Sequence, residues 1–247
     1  GHRHSDFTQF LDEDGLRSAR IGVCRQFFGS HPAVDELMER AMAVLKSQGA
    51  SLVELDKVPT FGQFGRDEYE IMLYEFKDGL DRYLAAVAPE MPVHSLEELI
   101  RFNERHAGRE LAHFGQEHLQ LAARKGPLTD TTYLEARARA AKLAGELGID
   151  AVIGEHRLDA LMAPTSGPAH VTDYVHGDRG LGGSSSPAAV AGYPSITIPA
   201  GDVRGLPVGL SLFGRAWSEP TLIRLAYSFE QATEHRRAPG FHPSIGA

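Results

Sequence analysis

Between Ala19 and Leu55 the chain carries one complete strand–helix–strand unit, and no other feature of the sequence restricts the fold as much. Ala19-Arg-Ile-Gly-Val-Cys24 is a short apolar run of the kind that forms a buried strand. His31-Pro32-Ala33 opens a helix with proline in its first turn, where a missing N–H costs nothing. Val34, Leu37, Met38, Ala41, Val44 and Leu45 then recur at helical spacing, and Gly49 stops the helix. Ser51-Leu-Val-Glu-Leu55 reads as the next strand. A helix between two such strands is long enough to cross back over a sheet, so parallel pairing with a right-handed crossover is the default.

The middle of the chain has a different texture. From Asp67 to Leu147 it is rich in Glu, Ala, Leu and Arg, which predicts helices at about 67–87, 95–105, 107–124 and 130–147. Thr129-Asp130 offers an N-cap for the last of these, and Gly126-Pro127 a turn before it. After Gly148 the sheet resumes. Asp159-Ala-Leu-Met-Ala163 is a strand ending at Pro164, Ser195-Ile-Thr-Ile198 alternates as strands do, and Leu206 to Phe213 follows after a turn, so these two predict a hairpin. A last helix runs from about Pro220 to Glu234, and the tail after Arg237 is rich in Pro and Gly and reads as irregular. The prediction is an α/β fold: a mixed central sheet flanked by helices, one domain over 1–247 with a helical layer at 67–147.

Composition removes several function classes. The formal net charge is −8, and no run of Lys or Arg exceeds two residues, which speaks against a nucleic-acid surface. No apolar stretch approaches the roughly 18 residues of a membrane span. The opening Gly1-His2-Arg3-His4-Ser5-Asp6 carries no apolar core of a secretion signal. A single cysteine, Cys24, excludes an internal disulfide and fits a reducing, cytoplasmic compartment.

Six short blocks then carry a resemblance. They are Leu158-Asp-Ala-Leu-Met-Ala-Pro-Thr165; Gly182-Gly-Ser-Ser-Ser-Pro-Ala-Ala-Val-Ala-Gly-Tyr-Pro194; Ile196-Thr-Ile-Pro-Ala-Gly201; Gly205-Leu-Pro-Val-Gly209; Phe213-Gly-Arg-Ala-Trp-Ser-Glu-Pro220; and Phe229-Glu-Gln-Ala232. Their order and spacing resemble the closing third of amidase-signature enzymes, and Leu16-Arg-Ser-Ala-Arg-Ile-Gly-Val23 resembles the strand that begins the second half of those enzymes. The resemblance implies hydrolysis of a carboxamide or ester. It also implies a catalytic set of a lysine, a bridging serine on a cis peptide and a nucleophilic serine, all in a Gly/Ser-rich half that precedes this segment. A neutral lysine would take a proton through the first serine while the second attacks and backbone N–H groups hold the oxyanion. Lys46, Lys57, Lys77, Lys125 and Lys142 lack the serine pair that the pattern requires. No catalytic residue is therefore expected in this chain, nor any cofactor or metal. The expected partners are a small amide substrate and the amino-terminal half of the enzyme. Isolation of the chain would expose an apolar sheet edge and favour self-association.

Gly182-Gly183-Ser184-Ser185-Ser186 admits two readings. As a nucleophile loop it offers hydroxyls and free amides at a helix start. As a plain loop it has Ser186 capping a helix whose first residue is Pro187. Between them, the resemblance implies a loop that faces the substrate without doing the chemistry, with Thr165, Asp178, Gly183, Ser184 and Ser185 as the substrate-lining candidates.

Other candidates are bland by comparison. His106, His113 and His118 read as solvated helix histidines, with no Glu-x-x-His or cysteine partner for a metal. His170, Asp173, His176 and Asp178 lie close together in the 165–180 loop and form a weaker candidate for a cation or for substrate orientation. Glu68, Glu70, Glu97 and Glu98 read as solvated acids on helix faces, Cys24 as a buried small hydrophobe and Trp217 as core. Two further classes remain open beside the amidase portion: a ligand-binding or regulatory half-domain, and an enzyme of different mechanism built on the 165–186 loop.

Overall fold

The computed structural model describes residues 4–87, 90–178 and 180–240. The first strand–helix–strand unit forms as predicted. Strand β1 (Arg20–Cys24), helix α1 (Pro32–Ser47) and strand β2 (Ser51–Leu55) pack with β1 and β2 parallel, Arg20 opposite Ser51 and Cys24 opposite Leu55. The chain then leaves the sheet through α2 (Gly65–Ala85), α3 (Leu96–Arg105), α4 (Ala107–Glu110), α5 (Glu117–Ala123) and α6 (Thr131–Ala144). It continues through α7 (Ala151–His156) and returns as β3 (Ala160–Pro164), parallel to β1 on its other side. Helix α8 (Ser186–Ala191), the hairpin β4 (Ser195–Val203) and β5 (Leu206–Phe213), and α9 (Glu219–Thr233) complete the order. The sheet order is β2-β1-β3-β5-β4, with β5 antiparallel to both β3 and β4.

Alternation along the strands divides the core between two faces. Ile21, Val23, Ala160, Met162, Val208, Leu210 and Leu212 pack on one face with α1 and α9. Cys24, Leu161, Ala163 and Phe213 face the other way, against Ala140 and Ala144 of α6 and Val152 and Ile153 of α7. Burial on both faces explains why β1 and β3 read as nearly continuous apolar runs. Gly22 belongs to the second face, where a Cβ would come within 2.6–2.8 Å of Leu158, Leu55 and Leu161 side chains.

Several sequence expectations are corrected. The helix expected at 107–124 breaks between Glu110 and Glu117. There His113 and Phe114 leave helical register to stack on Tyr174, at ring separations of 4.5 and 5.7 Å. The sheet resumes after Gly148 at β3, as expected, but not directly. Instead α6 passes through a π-helical turn, Gly145–Asp150, into α7, and stops at Arg157 in the left-handed conformation (φ 51°). Gly148 belongs inside that turn because a side chain there would meet the Leu143 carbonyl at 2.7 Å and the Thr60 hydroxyl at 2.8 Å. Asp130 stands at the N-cap of α6, but its carboxylate accepts from the Tyr74 hydroxyl (3.2 Å) rather than from the helix. Trp217 is 57% exposed, not core, on backbone with φ 64°. The acids do more than meet solvent. Glu70 pairs with Lys125 at 2.6 Å, and Glu98 closes the start of α3, where Ser95 accepts from its N–H and its carboxylate accepts from the His94 N–H. Of the opening segment, Gly1 to Arg3 lie outside the described residues, as does the tail from 241 to 247.

Cys24 is fully buried, and burial pushes its thiol up to about 12. A raised folded-state value keeps the thiol neutral in the fold, while the unfolded chain ionises nearer the ordinary value. Its contribution is therefore intact at neutral pH and is lost as pH climbs from about 9 towards 12. The expected loss is about 1 kcal/mol at pH 10. Denaturant titrations of the wild type and Cys24→Ser at pH 7 and pH 10 check this, and native protein at pH 8 should leave the thiol unreactive to a disulfide reagent until it unfolds.

Candidate functional site

In an open sheet of this kind, ligands settle beyond the carboxyl ends of parallel strands, where chain direction switches from one side of a strand to the other. Here that point lies between β1 and β3, because β1 is followed spatially by β2 on one side and β3 on the other. The sequence candidates Thr165, Gly183, Ser184 and Ser185 gather at this edge.

The site begins where the second sheet face turns from apolar to polar. Leu161 and Ala163 of β3 are succeeded on the same face by Thr165, and Phe213 of β5 by Ser211 and Gly209. Thr165 Oγ1 lies 2.6 Å from Thr197 Oγ1 and 2.8 Å from Ser211 Oγ, a chain of three hydroxyls spanning β3, β5 and β4. Gly209 leaves room for it, since a Cβ there would stand 2.5 Å from Thr197 Oγ1 and 2.7 Å from Thr165 Oγ1. Thr165, Thr197 and Gly209 line a cleft of about 480 Å³ that Pro199, Val208 and Arg236 complete. Gly209→Ala is expected to disrupt the hydroxyl chain and lower stability by roughly 1–3 kcal/mol through overpacking. Urea unfolding measures it, and a variant as stable as wild type would show that the hydroxyls are free to part.

The 165–185 loop is tied at its base. The Ser184 N–H donates to the Thr165 carbonyl (3.3 Å), Ser166 pairs with Gly183 as a short bridge, and Ser166 Oγ donates to the Gly182 carbonyl (3.3 Å). Ser184 is 1% exposed, and its Oγ donates to the Pro164 carbonyl at 2.8 Å. Gly183 and Ser185 are exposed. Asp178 lies in the outer part of the loop, exposed, where it accepts from the Asp173 N–H (3.1 Å). Asp173 in turn accepts from the N–H groups of His176 and Val175, which hold its carboxyl below the usual range, the His176 bond contributing most.

Ser186 corrects the sequence reading most directly. It does not cap α8; its hydroxyl reaches Glu68 on α2, 2.7 Å from each carboxylate oxygen and 118 residues away in sequence. Glu68 and Ser186 stand in a second cleft of about 470 Å³ beyond the ends of β1 and β2, walled by Phe27, Phe61, Phe64 and Pro187, with Lys57 on its rim. No sequence signal marked Glu68, one of several acids on the same helix. The histidines take local roles: His118 Nδ1 lies 2.7 Å from the Tyr69 hydroxyl, and His106 Nδ1 lies 2.8 Å from the Phe102 carbonyl. Among the described residues no three His, Cys, Asp or Glu side chains converge in a way that could hold a metal ion, and no helix is long and apolar enough to cross a membrane.

Comparison with known proteins gives a consistent picture. A protein-family model described as Amidase matches residues 3–223. A probable amidase of Arabidopsis thaliana is 31% identical over 242 residues, 95% of this chain and 42% of that protein. Among solved structures, the native peptide amidase from Stenotrophomonas maltophilia is 44% identical, with a TM-score of 0.83 over 97% of this chain and 48% of that one. A peptide amidase in complex with the competitive inhibitor chymostatin is 45% identical with a TM-score of 0.88 at the same coverage. The chain thus spans about half the length of the relatives it matches.

Proposed function

Since the chain belongs to the amidase family, we propose that it is the carboxyl-terminal portion of an amidohydrolase that cleaves the C–N bond of a carboxamide, or the corresponding ester, and that its nucleophile comes from other polypeptide. One observation carries the second half of this reading. Among the described residues, no serine hydroxyl is hydrogen-bonded to a lysine or histidine, and the Gly/Ser loop turns Ser184 towards a backbone carbonyl and Ser186 towards a carboxylate. A serine attacks an amide only when a base removes its proton, and the base bonded to Ser186 is a carboxylate, a weaker proton acceptor than the neutral lysine of the implied catalytic set, so on this reading the loop is a wall of the substrate site and not its reactive centre. The hydroxyl-lined cleft at Thr165 and the aromatic-walled cleft at Glu68 flank that loop and provide polar and apolar surface for a small amide.

The experiment is hydrolysis of a simple carboxamide by this chain with and without the polypeptide that aligns with the preceding half of its relatives. Turnover that appears only on mixing supports the proposal, and robust turnover by the lone chain, blocked by serine-directed inhibitors, would end it. Exposed apolar side chains on α2, among them Met72, Phe76 and Tyr83, belong on this reading to surface that the companion or a second copy covers. Sedimentation of the lone chain as a clean 26.9-kDa monomer would count against that part.

A further inference from the structure

Glu68 is set apart from the acids beside it on α2. Asp67 pairs with Arg139 at 2.8 Å, and Glu70 pairs with Lys125 at 2.6 Å. Glu68 is half-buried, and among the described residues no lysine, arginine or histidine forms an ion pair with it. Its hydrogen-bond donor among those residues is the Ser186 hydroxyl, 2.7 Å from each carboxylate oxygen. A hydroxyl has one proton to share between the two oxygens, whereas a carboxylate has about four acceptor positions. Most of that capacity is unused. A charge drawn partly out of water without a counter-charge is costly, and the start of α2, where Glu68 lies in the first turn, offsets only part of the cost.

The unused capacity borders a cavity. Glu68 lines the cleft of about 470 Å³ beyond the ends of β1 and β2, together with Phe27, Phe61 and Phe64. The three rings form a continuous wall, with Phe61 at 5.8 Å from Phe27 and at 6.4 Å from Phe64, the latter edge to face. Asp56 and Lys57 also border the cleft and their charges oppose one another, so Glu68 leaves the cleft negative as a whole.

We propose that this cleft binds a cation on an apolar stem, a primary ammonium carried by an alkyl or aryl body, with Glu68 as its acceptor. An ammonium brings three N–H donors to the open positions of the carboxylate, in charge-assisted bonds. Aromatic walls attract a cation and take up the stem that carries it. This rests on the amidase reading where it names a substrate class: a carboxamide whose body bears an ammonium group. No bond is made or broken at Glu68.

The test compares a cation with a neutral compound of the same shape, first on the chain alone by titration calorimetry. At neutral pH, 4-methylbenzylamine should bind roughly tenfold more tightly than 4-methylbenzyl alcohol, the effect of one charge-assisted hydrogen bond. Glu68→Gln should bring the two within about twofold of each other. Lys57→Ala, at an exposed side chain, removes a like charge from the rim and should tighten amine binding about twofold at low salt. With the companion polypeptide added, kcat/KM for 4-(aminomethyl)benzamide should exceed that for 4-methylbenzamide roughly tenfold, a preference that Glu68→Gln should erase. Equal binding of amine and alcohol by the wild type, or none, would overturn the site. An amine preference that survives Glu68→Gln would overturn Glu68 as the acceptor. If that variant does not fold, Lys57→Ala decides, and amine binding that it fails to tighten would remove the cation from this cleft. Hydrolysis of both amides at equal rates would overturn the substrate class and spare the amidase reading. Tight amine binding with neither amide hydrolysed would keep the site and remove the amidase reading.

Discussion

On the proposed reading, adding the polypeptide that aligns with the preceding half of its relatives is expected to raise carboxamide hydrolysis at least about a thousandfold over the chain alone. The size follows from the nucleophile and base that this reading assigns to the companion. Removing a nucleophile or its base from a hydrolase costs on the order of a millionfold in kcat, and residual acceleration comes only from substrate binding and oxyanion donors. This chain has binding surface, in the clefts beside Thr165 and Glu68, and no lysine or histidine bonded to a serine hydroxyl among its described residues. Its own rate should therefore sit near the uncatalysed one. The measurement is ammonia release from benzamide at equal concentrations of chain, companion and mixture. Sedimentation should show the active species as a complex of the two. A mixture no faster than the sum of its parts would sink the expectation.

The second large effect is on stability. Phe213 ends β5, opposite Leu161 on one side and Ser195 on the other, and is fully buried against the α6–α7 side of the sheet. It is the last apolar residue of that face before Ser211 and Gly209 begin the hydroxyl-lined site. Phe213→Ala should cost about 3–5 kcal/mol, from lost burial and the cavity left behind, in a protein whose total stability is about 5–15 kcal/mol. At this chain length that corresponds to a fall in Tm on the order of 10 °C. Tyr83→Ala, at a side chain 66% exposed on α2, should change stability by no more than about 0.5 kcal/mol. Guanidinium titrations of both variants decide it. A Phe213→Ala protein within 1 kcal/mol of wild type would mean that this face of the sheet is not closed by the helical layer.

The elements that the sequence announces are those whose stability is local or periodic. The β1–α1–β2 unit, the hairpin of β4 and β5 and the last helix fall within two residues of their expected bounds, except that β4 runs on to Val203. Each is specified by its own alternation, its helical repeat, or a proline in a first turn. The breaks were less legible. Nothing within 107–124 shows that His113 and Phe114 would leave a helix for Tyr174, some 60 residues away, and Gly148 looked like a stop until the crowding of Leu143 and Thr60 around it explained why only glycine fits there.

By itself the sequence determined the α/β class, the parallel start and antiparallel end of the sheet, and the six blocks that point to the amidase family. These depend on residue periodicity and on order along the chain, which a sequence states directly. Tertiary structure alone decided which serine is buried, which is pinned by Glu68 and which is displayed, and that Thr165, Thr197 and Ser211 share one hydroxyl chain. Hydrogen bonds between residues 32 to 118 positions apart depend on how strands and helices lie against one another in space. No local propensity encodes them, and three identical side chains in a row become different only when the fold gives each its own neighbours.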